Sequence, residues 1–373
     1  MRKFFCGTII INLVLFFGIP WVLAANGGPP VPDWQKKWDQ VVAAAKNEGS
    51  LVIYGNMDPK TISEMQQGFA NKYGIKLEIM AGKSAELIAR LQREQAAGIK
   101  AADVFIMGGA TAVLDMKPNG LIAPLEPYLI LPEVKDPKAW PGGKIRFLDK
   151  AKTIIPLNSG WTTYVAVNTN LIKEGDIKSY KDLLLPKWKG KIALYDPWIA
   201  GAAAGWATLL LTDVYGLEGG KDYLRQFAAT NPMGIRDVRL QVEWVARGKY
   251  PIGVGVQHAE VSQFKQSGAP ININRFVEGG NLNPGSSCLE VSPNPSHPNA
   301  ATLYINWLLT REGQMANSRG TGAPPVRIDV PIDGLGIDDS KIARPNDKAF
   351  LTTEEYFLMQ GKAINIAKEI WGK

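Results

Sequence analysis

Cysteine is nearly absent from this chain of 373 residues, which holds only Cys6 and Cys288. Cys6 lies within an apolar N-terminal run, too early to be a lipid acceptor at the end of that run. If that run is removed, Cys288 is the only thiol and no internal disulfide can form. A chain of this length needs no such staple, because it can bury a large core. Histidine is as scarce, with two residues. There is no Gly-x-Ser-x-Gly and no His-Glu-x-x-His, so the materials for a secreted hydrolase are poor. No Lys/Arg block occurs, which argues against a nucleic-acid footprint. No apolar run of membrane-spanning length follows residue 25.

What the chain does have begins at its N-terminus. Arg2 and Lys3 precede an almost unbroken apolar stretch from Phe4 to Leu23. Val22-Leu23-Ala24 and Ala25 then supply the small residues read by a signal peptidase. This is the layout of a signal peptide over 1–25, cleaved near Ala24/Ala25, which places the mature protein in the periplasm. The alternative is an uncleaved anchor, since the stretch is near spanning length. Pro20 breaks the run, and a Gly/Pro-rich exit follows. Without Arg2 and Lys3 the 42 basic residues fall to 40 against 35 acids, a formal net charge of about +5. That mild excess suits an anionic small molecule without requiring one.

Periodicity predicts a helix from Trp34 to Asn47, a strand Leu51–Tyr54, a helix from Pro59 to Tyr73, a strand Lys76–Met80, a helix from Ser84 and a strand Asp103–Met107. This β-α-β-α-β order implies a parallel sheet covered on both faces. Ligands sit beyond the carboxyl ends of such strands, here Gly55-Asn56, Gly82-Lys83-Ser84 and Gly108-Gly109. A second α/β unit reads from the strand Ile192–Tyr195 through Ala200–Ala204, a helix Gly220–Ala229, a helix entered at Arg236–Arg239 and a strand Pro251–Val256. The chain then predicts helices at Pro298–Leu309 and from Arg311, a loop over Gly320–Pro331, and a terminal helix opened by a Thr352/Glu355 capping box and running to Trp371.

Several short motifs occur in a telling order: Ala45-Lys46-Asn47-Glu48-Gly49-Ser50-Leu51-Val52-Ile53-Tyr54, Gly82-Lys83-Ser84-Ala85-Glu86-Leu87, Ala102-Asp103-Val104-Phe105, Pro186-Lys187-Trp188-Lys189-Gly190-Lys191, Ala246-Arg247-Gly248-Lys249-Tyr250-Pro251 and His297-Pro298-Asn299-Ala300-Ala301 before Glu312-Gly313-Gln314. Together they resemble bacterial extracellular solute-binding proteins of ABC importers, in the branch that includes the ferric-ion-binding periplasmic proteins. The resemblance implies an α/β, two-lobed periplasmic-binding-protein fold of type II. Its lobes would be joined by two crossover segments, with lobe one at 33–158 plus 285–373 and lobe two at 159–284. It also implies a monomer that hands a small-molecule solute to an inner-membrane ABC permease. A sensor subunit that presents the solute to a receptor would look the same.

The same resemblance brings Asn56, Lys83, Ser84, Gly109 and Gly201 to a cleft as backbone, amide and hydroxyl donors. Ser84 could instead cap its helix, and Gly201 could serve tight packing. Arg236 and Arg239 would hold an acidic group through paired guanidinium hydrogen bonds. Trp161, Tyr164 and Trp198 would wall an organic solute, or else serve the core and hinge. The ferric branch carries adjacent tyrosines before a Gly-Ala-Pro turn. This chain reads Gln257-His258-Ala259-Glu260 before Gly268-Ala269-Pro270, so the phenolate pair is missing. His258 and Glu260, taken as strand-like neighbours, do not fill a metal sphere. A hydrogen-bonding role suits His258 better. The expectation is a carrier with no cofactor and no catalytic activity, for a small anionic organic solute; ferric ion is the alternative cargo.

Overall fold

A computed structural model describes the chain from Pro32 to Gly372. The expected signal peptide at 1–25 lies outside the described residues. Among those described, no helix is long and apolar enough to cross a membrane.

Among the described residues, thirteen strands form three sheets. The first sheet is ordered β2-β1-β3-β12-β4, built from β1 (Ser50–Gly55), β2 (Lys76–Ala81), β3 (Val104–Met107), β4 (Ile155–Pro156) and β12 (Cys288–Val291). Strand β1 pairs in parallel with β2 and β3, and β12 runs antiparallel to β3 and β4. The second sheet is ordered β10-β6-β9-β7-β8, from β6 (Val165–Asn168), β7 (Ile192–Tyr195), β8 (Met233–Ile235), β9 (Ile252–Val254) and β10 (Ile271–Ile273). Here β7 is parallel to β8 and β9, while β6 is antiparallel to β9 and β10.

Both sheets are covered on both faces, as parallel sheets require. One face of the first sheet packs Leu51, Ile53, Val104 and Ile106 against Tyr304 and Trp307 of the helix Pro298–Leu309. Its other face packs Tyr54, Phe105 and Met107 against Leu87 and Leu91 of the helix Ser84–Ala96. The second sheet is enclosed in the same way. Buried Cys288 belongs to the first sheet's core. Asp103, at the entry to β3, is a fixed node of the first sheet: its carboxylate accepts from the Val52 amide at 2.9 Å and from His297 Nδ1 at 2.8 Å. His297 also stands at the N-cap of the helix Pro298–Leu309.

The third sheet explains how the other two are joined. Strand β5 (Gly160–Thr162) lies between β4 and β6 in the chain, and β11 (Gly280–Asn283) lies between β10 and β12. These two crossovers pair antiparallel, with Thr162 opposite Asn281. Gly280 allows the approach, because a Cβ there would stand 2.6 Å from the Thr162 carbonyl oxygen. A third strand, β13 (Ala349–Leu351), pairs in parallel with β11, and nothing in the sequence pattern announced it.

Most helices fall where periodicity put them, including Asp33–Glu48 and Pro298–Leu309. Four readings are corrected. His258 and Glu260 are not strand-like: they occupy the first turn of a helix, His258–Gln266. Ser84 caps nothing, since Lys83 holds the N-cap position of that helix and no side chain caps it. The terminal helix Glu354–Trp371 is capped by Thr353, whose side chain accepts from the Tyr356 amide, not by Thr352. The helix from Arg311 runs on to Thr321, taking in the start of the expected loop. The terminal helix also divides its packing. Tyr356 and Phe357 join the first sheet's core, whereas Ala363, Ile366 and Ile370 join the second's.

Candidate functional site

A cleft of about 650 Å³ opens between the two main sheets. Four loops that leave the carboxyl ends of strands line it: Asn56–Asp58 after β1, Gly108–Thr111 after β3, Ala200–Ala202 after β7 and Val256–Ala259 after β9. The crossovers contribute Thr162 and Asn283 to its floor, and the tail contributes Lys341, Phe357 and Gln360. This is where strand polarity places ligands in open α/β sheets.

Of the residues singled out from sequence, Asn56, Gly109, Tyr164, Gly201 and His258 line this cleft. Gly109 has a packing reason to be glycine: a Cβ there would stand 2.6 Å from Cζ of Phe357. Gly201 adopts φ 151°, ψ −160° at the N-cap of the helix Ala202–Leu209, a conformation that disfavours any side chain. Neither that helix nor His258–Gln266 has a side-chain cap hydrogen bond. The first-turn amides at both starts therefore lack the usual capping partner, beside a cleft lined by Ala202, His258 and Ala259.

Tyr164 is committed to its surroundings. Its hydroxyl accepts from Asn283 Nδ2 at 2.8 Å and lies 3.2 Å from the Tyr356 hydroxyl. His258 Nε2 is 2.8 Å from Ser340 Oγ, and Ser340 Oγ donates to Asp338 at 2.9 Å. With the serine proton spent on Asp338, Nε2 must carry the histidine proton and donate it. Burial, reinforced by the Lys341 charge, pushes the His258 pKa down to about 3. The ring is neutral at ordinary pH.

The other six candidates do not line the cleft. Lys83 and Ser84 follow β2, an edge strand, and are absent from its wall. Trp161 is fully buried, with the Arg275 guanidinium 4.3 Å from its ring. Trp198 packs near Trp371, ring centroids 6.1 Å apart. Arg236 Nε pairs with Asp196 at 2.8 Å, and Arg239 pairs with Glu260 at 3.2 Å, both with largely exposed side chains. Glu260 thus faces Arg239 rather than joining His258. Among the described residues, no three His, Cys, Asp or Glu side chains converge as metal ligands.

The charged groups in the cleft were not singled out in advance. Asp58 and Asp115 line it, as does Lys341, the only lysine or arginine among the described residues that does. Burial raises the Asp115 pKa and lowers that of Lys341, the latter opposed by Asp338. Asp58 also caps its helix through the Thr61 amide. Lys341 sits in a Gly- and Pro-rich tail far along the chain from the four loops that follow β1, β3, β7 and β9. No local pattern marks it.

The model of the bacterial extracellular solute-binding proteins matches residues 54–315, which spans the loops after β1, β3, β7 and β9. The chain belongs to that family. This solute-binding protein is 22% identical over 291 residues to a Synechocystis sp. protein named iron uptake protein A1, covering 75% of this chain and 77% of the relative. Its fold is that of solved two-lobed periplasmic binding proteins. A Trichodesmium protein (IdiA, FutA) in complex with iron and citrate superposes with a TM-score of 0.68 at 20% identity, covering 87% of this chain and 100% of that one. AfuA from Actinobacillus pleuropneumoniae, with exogenous fructose-6-phosphate bound, gives 0.64 at 21% identity, covering 87% and 99%. The two-lobed α/β expectation therefore holds.

Proposed function

We propose that this solute-binding protein captures a small anionic organic solute in the cleft between its lobes and delivers it to an inner-membrane ABC permease. One observation carries the reading. Two helices with no side-chain cap, starting at Ala202 and His258, begin at a cleft whose only lining lysine or arginine among the described residues is Lys341. Uncapped helix starts favour negative charge. Closure of the lobes about the β5–β11 crossovers would desolvate the pair and strengthen it. We assign the protein no catalytic step, and read it as a periplasmic monomer after signal-peptide removal near Ala24/Ala25.

The lobes in this reading are 33–158 with the returning segment from 285, and 159–284. The tail from Asp338 onward goes with lobe two and the hinge, because the ion pairs of residues 338–347 and most of its helix packing face that side, although Glu354 pairs with Lys117 of lobe one. Asn56, Gly109, Tyr164, Gly201 and His258 stay in the proposed site, with Asp58, Asp115 and Lys341 added.

Native mass spectrometry of protein purified from its host, followed by a thermal-shift screen of carboxylates, phosphate esters and sulfonates, tests the reading. A co-purified acid, or one that raises the melting temperature, supports it. A bound solute without an acidic group sinks it.

The likeness to the Trichodesmium protein with iron and citrate favours a second reading, ferric ion held with a small anion. Asp58 and Asp115 are the lining carboxylates it would use. Metal analysis after dialysis against ferric citrate separates the two: stoichiometric iron favours this reading, and background iron favours the organic solute.

A further inference from the structure

We propose that Lys341 is the counter-ion for the solute's acidic group, carried into the cleft on a strap of the tail and positioned to touch both lobes through one bound oxyanion. The proposal rests on the anionic-solute reading above.

The strap begins at Asp338. Lys265 pairs with Asp338 and Asp339, Arg275 with Asp347 and Arg344 with Glu174, so residues 338–347 are held to the side of the second sheet. Each of those cations faces a carboxylate. Lys341 does not. Its Nζ donates at 2.8 Å to the carbonyl of Gly322, the residue that ends the helix Arg311–Thr321 on the other lobe. A carbonyl engages one of three ammonium protons and brings no charge. Asp338, three residues back, spends Oδ1 on the Ser340 amide, the Ser340 hydroxyl and Lys265, while its Oδ2 has no hydrogen-bond partner among the described residues; its charge reaches Lys341 without forming an ion pair. No carboxylate forms an ion pair with Lys341 among the described residues.

A half-buried ammonium with no ion-paired carboxylate is costly unless something compensates it, and Asp338 offsets its burial only in part. Here the ammonium lines a solute-sized cleft, so the compensation can come from the solute. Its position matches the rest of the wall. His258, at the start of an uncapped helix, is hydrogen-bonded to Ser340, the residue next to Lys341. An oxyanion beside Lys341 would therefore meet the amides of that helix start from the second lobe. Through the same ammonium it would be linked to the Gly322 carbonyl of the first. Such an anion ties the halves together, whereas an uncharged solute of the same size does not. Carboxylates and phosphate monoesters share this chemistry, and the experiment tells them apart.

The test is calorimetric titration of the full mature chain with fructose 6-phosphate, citrate, inorganic phosphate and, as the uncharged arm, glucose. It is run on the wild type, Lys341→Met and Lys341→Arg. Loss of a charge-assisted pair should weaken the bound anion about 10- to 100-fold in Lys341→Met, with much of the affinity kept in Lys341→Arg. A wild type that binds an anion, with Lys341→Met binding it equally well, overturns this assignment and leaves the anionic reading standing. A wild type that binds none of the three anions, or only glucose, ends the anionic reading itself. Acetylation of wild-type lysines, read by peptide mass, decides the matter if Lys341→Met does not fold. A bound anion should slow acetylation of Lys341, and an unchanged rate there overturns the proposal.

Discussion

The Tyr164 hydroxyl lies 3.2 Å from the Tyr356 hydroxyl, and the direction of that hydrogen bond follows from its neighbours. Tyr356 donates its one proton to the Gly205 carbonyl at 2.9 Å, so Tyr164 must donate to Tyr356. Tyr164 in turn accepts from Asn283 of the crossover β11. The chain of contacts links hinge, cleft wall and terminal helix. Replacing Tyr356 with Phe removes the middle member and leaves a buried carbonyl and a hydroxyl without partners. The expected loss is about 1–3 kcal/mol of unfolding free energy, measured by urea denaturation. A variant as stable as the wild type would show that water takes over the role.

Arg236 and Arg239 attract attention in the sequence as anion anchors, yet each pairs with a carboxylate outside the cleft. The double variant Arg236→Ala, Arg239→Ala should bind the solute within about twofold of the wild type, since neither removes a group from the wall. Its stability should change by no more than about 1 kcal/mol per exposed pair. Loss of binding in this variant, read by calorimetry, would return both residues to the site.

His258 sets an acid limb on stability. Its pKa falls from an ordinary 6.5 to about 3 in the folded protein, chiefly because the ring is buried. In the unfolded chain the ring takes up a proton below 6.5, and the folded protein refuses it. Stability from this group is therefore complete above 6.5 and is lost as the pH falls from there toward about 3. The slope is at most about 1.4 kcal/mol per pH unit. Between about pH 7 and about pH 5, the wild type should lose more stability than His258→Gln in urea unfolding. Parallel losses would mean the ring charges freely in place.

Glu290 should act with the opposite sign. It sits on β12 with neither carboxyl oxygen well hydrogen-bonded among the described residues. Burial raises its pKa well above the usual carboxylate range, offset in part by the Met107 amide. The folded form keeps a proton that the unfolded chain releases above about 4.5, so stability is lost as pH rises through the interval between the two values. Glu290→Gln should be more stable than the wild type by about 1 kcal/mol or more near neutral pH. The gain should shrink toward about pH 4. Equal stability at both pH values would show that the carboxyl is ionised and solvated.

The alternation of strands and helices, the pairing of glycines with strand ends and the place of the cleft were legible in the linear order of residues. Apolar periodicity is a local property, and a parallel strand always presents its carboxyl end to the same edge. Strand β7 and the helix Pro298–Leu309 fall on the residues expected. Gly201 and His258 were singled out through the family resemblance, and both follow such strand ends. What periodicity could not tell was whether a polar residue beyond a strand turns toward the gap or toward a partner. Asp196 claims Arg236 at a separation of 40 residues, and Arg275 stacks on Trp161 across more than a hundred.

Composition and spacing thus determined two α/β units with ligand loops beyond their strand ends, because those features depend on neighbours a few residues apart; the gap between the units was what the family resemblance implied. The terminal helix was legible in the sequence, but what the tail touches was decided by tertiary structure alone. The addition of β13 to the hinge and the reach of Lys341 to Gly322 are contacts between segments with no shared local pattern. The charge of the cleft depends on which distant side chains are left without a partner, and that is known only when every partner has been placed.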